Sequence, residues 1–173
     1  MASPIAFSTL GCPSWDLDTI LRAAVDFGYD ALELRGHLDQ TDLLQAAPFA
    51  PAHRADTRRR IADAGLAVCC VGSSGVVAQG NLDHVRAHCR LAWDLGCPLV
   101  RVFGGERTDR SAANLRAFGD AAADAGVALV LETHDAFSTG ATVAALLAEA
   151  DHPAVFSLWD LHHPYRQGEA PAE

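Results

Sequence analysis

The chain contains no lysine; all 13 basic residues are arginine. A Schiff base needs a lysine amine, so lysine-type aldolase and pyridoxal phosphate chemistry are excluded within this chain. No apolar run approaches the roughly 18 residues that a membrane span requires, so no membrane partner is expected. The opening MASPIAFSTLGCP has no basic stretch and reaches the turn Gly11-Cys12-Pro13 too soon for a signal peptide. A cytoplasmic location is the expectation. Basic charge is scarce as well. Against 22 acids the 13 bases leave a formal net charge of −9, and duplex phosphates need a basic face, so nucleic acid is not the expected partner. The five cysteines are odd in number and form no C-x-x-C pair. They read as small buried hydrophobes of a reducing compartment, with Cys12, in a turn, as the one candidate for a reactive thiol.

What is present is a core. Half of the residues are hydrophobic, which excludes intrinsic disorder. The one basic cluster, His53 and Arg54 with Arg58, Arg59 and Arg60, reads as a solvated helix face balanced by Asp56 and Asp63.

A repeat of about 30 residues, the size of a βα unit, runs along the chain. Helix-like stretches end at Gly28, Gly65, Gly96 and Gly126 and are followed by the apolar runs ALEL, LAVCCV, PLVRVF and VALVLE; a fifth run, AVFSLWD, follows Pro153. Glycine reaches the left-handed conformation that closes a helix without steric cost. The short runs, rich in Val, Leu and Ala and barely alternating, are those of strands buried on both faces of a parallel sheet. Six strands are expected at about 4–10, 31–35, 67–72, 98–103, 127–132 and 154–160. Between them Leu17, Ile20, Leu21, Ala24 and Val25 form a helical stripe, with Ser14 or Asp16 as its cap. Asn81, Ser111 and Thr139 or Thr142 are expected caps of later helices. The tail HHPYRQGEAPAE has no apolar period and reads as a loop. Strand–helix alternation without a composition break implies an α/β fold with a parallel sheet in a single domain, residues 1–173.

Ligands of parallel α/β folds bind at the carboxyl ends of strands. Those ends carry Glu33 and Arg35, Arg101, Glu132 with His134, and Asp160 with His163. Glu132 closes the run VALVL, and a carboxylate there is costly unless it is paired, protonated or metal-bound. Its alternatives are an ion pair with Arg101 or a cation. Asp160 and His163 form a D-x-x-H pair whose oxygen and nitrogen donors suit Mn, Mg, Co or Zn. His84 and His88 share a helix face at i, i+4 and read as a solvated or half-buried pair. The glycine turns at 72–75 and 104–105 are candidate phosphate cradles. Trp159 alternates away from Asp160 and should face the helices.

The opening FSTLGCPSWDLDTILRAAVDFGYDALELRG, the run LETHD and the run WDLHHP together resemble the xylose isomerase-like TIM-barrel superfamily. Its sugar phosphate isomerase/epimerase group is the nearest; inosose dehydratases, hydroxypyruvate isomerases, ketose 3-epimerases and type IV apurinic endonucleases are other members. The resemblance implies a (β/α)8 TIM-barrel type of fold, incomplete, with about six parallel βα units and the last two missing. It implies one divalent metal, with Glu132 and Asp160 as ligands and Glu132 also as a catalytic base. His163, Glu33, Arg35, His134 and Arg101 would bind a small sugar or sugar phosphate. The remaining family ligands, a strand-seven His and a strand-eight Glu, have no counterpart here. Three explanations of that lack stand open: a fragment of a longer reading frame, a second chain that completes the barrel, or a stable six-unit open sheet with a lost or altered function; a homo-oligomer is a further expectation. Two other readings stay open: an inactive or truncated barrel that serves as a binding module, and a phosphodiesterase of the apurinic endonuclease type.

Overall fold

A computed structural model describes residues 3–170. The ends of the expected 1–173 domain, and residues 171–173 of the expected terminal loop, lie outside them. Among the described residues are six strands, β1 (Ala6–Ser8), β2 (Ala31–Leu34), β3 (Ala67–Val76), β4 (Leu99–Phe103), β5 (Ala128–Glu132) and β6 (Val155–Leu158). Between and after them come the helices α1 (Leu17–Phe27), α2 (Arg54–Asp63), α3 (Leu82–Leu95), α4 (Ser111–Asp124), α5 (Gly140–Ala150) and α6 (His162–Arg166). The strands form one sheet in the order β1-β2-β3-β4-β5-β6, and β1 with β2, β2 with β3 and β5 with β6 pair in parallel. Strand order that follows chain order, with a helix after each strand, is the wiring of a βα barrel. The fold is therefore the expected α/β TIM-barrel type with six βα units.

The chain packs as two units, Met1–Ser73 with Ala87–Val100, and Ser74–Arg86 with Arg101–Glu173. In the first, Asp16 caps α1 by accepting from the Thr19 amide at 2.8 Å. Gly28 closes that helix at φ 73°. The stripe behaves as its spacing requires: Leu17, Ile20, Leu21 and Ala24 are buried, while Val25, at its margin, is exposed. Asp30 ties the start of β1 to β2, accepting from the Ile5 amide at 2.8 Å. Arg54 departs from the solvated face expected of the basic cluster. It is buried, donating to Asp94 and to the Phe49 carbonyl at 2.8 Å each, because its long stem crosses apolar surface on the way to those oxygens. Arg59 stays outside on Asp56 and Asp63, as expected. His88 also departs. It is 1 % exposed, with Nε2 3.5 Å from Asp42 Oδ1, and the carboxylate that meets it comes from a distant loop, which the helix period could not reveal.

In the second unit the ends of β5 and β6 run in register, Glu132 beside Leu158. Thr139 and Thr142 form a reciprocal capping box on α5. Ser111 is not a cap; it is the first residue of α4, and its hydroxyl accepts from the Thr108 amide at 2.9 Å. Asn81 precedes α3, and its amide group bonds the backbone of Ser74 and Val76. Part of the expected terminal loop is α6: Pro164 is buried and anchors a short helix that the polar composition concealed. No helix among the described residues is long and apolar enough to cross a membrane.

All five cysteines are free thiols. Burial pushes Cys89 up to about 12 and Cys97 up to about 11. Burial also raises Cys12, so that thiol stays protonated and weakly nucleophilic near neutrality.

Candidate metal and substrate site

Glu132 is the last residue of β5, and the apolar strand behind it leaves its carboxylate little water. Arg101, in the middle of β4 and 3 % exposed, meets it with Nε 2.9 Å from Oε2. This is the ion-pair alternative raised from the sequence. The guanidinium carbon also lies 3.9 Å over the Phe103 ring, a cation–π contact that holds its plane. Phe103 tilts against His134, ring centroids 4.8 Å apart. His134 then meets His163 edge to face at 4.4 Å. Four side chains, Arg101 and Phe103 of β4, His134 just past the end of β5 and His163 of α6, thus form one continuous stack, each fixing the next.

Three of the expected residues come together. One donor atom each of Glu132, His134 and His163 lie within 4.8 Å of one another. Asp160 stands beside the trio, with Oδ2 3.9 Å from His163 Nε2. Its other oxygen accepts from the His162 amide at 2.8 Å, which starts α6. His134 is followed by Asp135, at φ 53°, whose carboxylate lies 2.8 Å from His134 Nδ1.

The donor set fits a divalent cation. At bond lengths of about 2.1 Å, ligand atoms on opposite sides of a cation stand about 4.2 Å apart, so small side-chain rotations close the trio around one ion. A carboxylate offers about four lone-pair sites, of which the Arg101 contact occupies part of one oxygen.

Glu33 and Arg35 belong to the first unit. Glu33 follows a register shift in which Leu32 pairs with Val68 but Glu33 with Cys70, and such bulges re-aim side chains. Arg35 donates to the Thr41 carbonyl at 2.7 Å, and its amide bonds Thr9 Oγ1 at 2.9 Å. The glycine turn 104–105 is closely packed on its side-chain side. A Cβ at Gly104 would stand 2.2 Å from Phe137, and one at Gly105 would stand 2.7 Å from Val76. Trp159 faces α5, as alternation predicted, lining a cavity of about 680 Å³ with Val143 and Leu147. The sequence reading missed Phe103 and Thr133, which carry no charge and hold no motif position.

The profile of the xylose isomerase-like TIM barrel family matches residues 21–173. The chain belongs to that family. No curated protein sequence matches this family member. Among solved structures it is similar to the probable 3-DHS dehydratase AsbF of Bacillus anthracis, with TM-score 0.81 and 17% identity over 98% of this chain and 67% of that one. It is also similar to a xylose isomerase-like TIM barrel protein of Mycobacterium smegmatis in complex with magnesium, with TM-score 0.71 and 20% identity over 91% of this chain and 65% of that one. A D-psicose 3-epimerase, solved in the presence of D-fructose, gives 0.75 and 13% over 97% of this chain and 67% of that one. At such identities the likeness speaks to the fold alone. The xylose isomerase-like chain spans about two thirds of the length of these relatives.

Proposed function

We propose that this protein is a metal-dependent isomerase or epimerase acting on a small keto-sugar, sugar phosphate or cyclitol. The cluster of Glu132, His134 and His163 donor atoms carries the reading; the magnesium complex of the Mycobacterium smegmatis neighbour supports it. Glu132 and Asp160 would hold Mn, Mg, Co or Zn, with His163 and His134 beside them. A bound divalent cation would polarise adjacent carbonyl and hydroxyl oxygens of the substrate and acidify the carbon–hydrogen bond between them. Glu132 takes that proton as the electron pair moves to the carbonyl oxygen, then delivers it to the former carbonyl carbon while the hydroxyl proton passes between the two oxygens. One base suffices for an aldose–ketose shift, whereas epimerisation needs an acid and a base on opposite faces. Arg101 holds the carboxylate in place by its 2.9 Å ion pair. His134 and His163 bind substrate oxygens.

The test is metal content and Mn²⁺ titration calorimetry on the wild type, Glu132→Ala and His163→Ala. About one equivalent in the wild type, with affinity lowered roughly 10–100-fold or more in both variants, is expected for loss of a ligand or its close support. Equal binding by wild type and Glu132→Ala would remove Glu132 from the site. The Arg101–Glu132 pair favours a second reading, a non-catalytic binding module whose carboxylate is already satisfied; absence of metal from wild type and variants alike would favour it.

A further inference from the structure

We infer that Thr133 is the positioning residue of this site: its hydroxyl sets Asp160, and through it His163, against Glu132 and His134. The inference rests on the proposed metal site for its functional consequence but not for its geometry. β6 ends at Leu158, so Trp159 and Asp160 have left the ladder that pairs β5 with β6. The last rung is the Thr133 amide donating to the Leu158 carbonyl at 3.0 Å. Beyond it the side chain of Thr133 replaces the missing rung. Oγ1 accepts from the Asp160 amide at 2.8 Å and donates to the Asp160 carbonyl at 3.1 Å. One hydroxyl thus serves both backbone groups of Asp160, a pairing that only a donor–acceptor side chain can make. Thr133 is 1 % exposed, so water does not replace it when it is removed.

The consequence follows from the neighbours. Thr133 lies between Glu132 and His134; Asp160 starts the turn that carries His163, through its carboxylate on the His162 amide. The clasp therefore joins two halves of the donor cluster, two residues from each.

The test uses Thr133→Val, which keeps the shape and loses both hydrogen bonds, and Thr133→Ser, which keeps the hydroxyl. Amide exchange at Asp160, read by NMR, should rise at least 10-fold in Thr133→Val and return to the wild-type value in Thr133→Ser. Mn²⁺ affinity should fall roughly 10–100-fold in the first and recover in the second, as for loss of an outer partner of a metal ligand. A merely structural role would lower the unfolding midpoint without this split between Val and Ser in metal affinity. If Thr133→Val fails to fold, Thr133→Ala takes its place in both measurements. Unchanged exchange at Asp160 in the hydroxyl-free variant overturns the inference. Faster exchange together with no Mn²⁺ binding by the wild type keeps the clasp and refutes the metal reading instead.

Discussion

At Gly104 an added Cβ would stand 2.2 Å from Phe137 Cδ2 and 2.8 Å from Cε2. Phe137 is buried, 1 % exposed, and cannot swing aside. Gly104→Ala should therefore destabilise the fold by about 1–3 kcal/mol, the usual cost of overpacking, as a lower urea midpoint at unchanged m-value. His37 makes a pH-dependent counterpart. Its imidazole is 4 % exposed, its Nδ1 has no hydrogen-bond partner, and its ring packs edge-on against Phe49 at 5.8 Å. Burial lowers its pKa from the ordinary 6.5, and the Asp16 carboxylate opposes that shift only in part. The folded state thus resists the proton that the unfolded chain accepts. Stability is unaffected above about 6.5 and falls as pH drops below it, down to the depressed folded value. Unfolding free energy followed from pH 7.5 to 5.5 should decline in the wild type and flatten in His37→Gln. Asp16 acts in a separate window. Its hydrogen bonds to Thr19 lower its pKa from 3.8, so the stability it contributes is present above that value and lost as pH falls through the folded one. A decline unchanged in His37→Gln would assign the effect to other groups.

At the scale of elements, the helix termini separate residues that look alike in sequence. Thr139 and Ser111 both precede apolar helical stretches. Thr139 closes a capping box with Thr142, whereas Ser111 sits inside its helix and serves the Thr108 amide. Thr139→Ala should cost about 1 kcal/mol, with the range of roughly 0.5–2 typical of a lost cap, measured by urea denaturation. Helix-ending glycines are legible because the left-handed conformation is a property of the residue itself: Gly28, Gly65, Gly96 and Gly126 all have φ between 71° and 76°. Strand positions are legible for a similar reason, since runs such as VALVLE can only be buried. Strand lengths are less so. β3 runs on through Gly72-Ser73-Ser74-Gly75 to Val76, because ladder pairing holds residues whose own propensity is for turns.

For the whole molecule, large apolar side chains remain outside on and after β6: Phe156 is 52 % exposed, Leu161 62 % and Tyr165 76 %. Exposed apolar groups this close together favour association. Sedimentation velocity at rising protein concentration should show self-association, weakened in Phe156→Glu; a monomer at every concentration would refute this. The α/β class, the six βα units and the acidic and imidazole residues at strand ends were all readable from the chain, because backbone preference and burial periodicity are local. So was the ambiguity of Glu132, whose carboxylate had to find a partner. Which partner it found was not local. Arg101 closes on it from β4, His163 approaches through a helix hidden in a polar tail, and Thr133 clasps Asp160 across 27 residues of chain. Distances between groups far apart in sequence are set by packing and register, and no pattern along one strand encodes them. The amino-acid order alone determined which segments become strands and helices and which side chains stand at their ends; the tertiary structure alone decided which of those side chains meet, because only folding brings their atoms within bonding range.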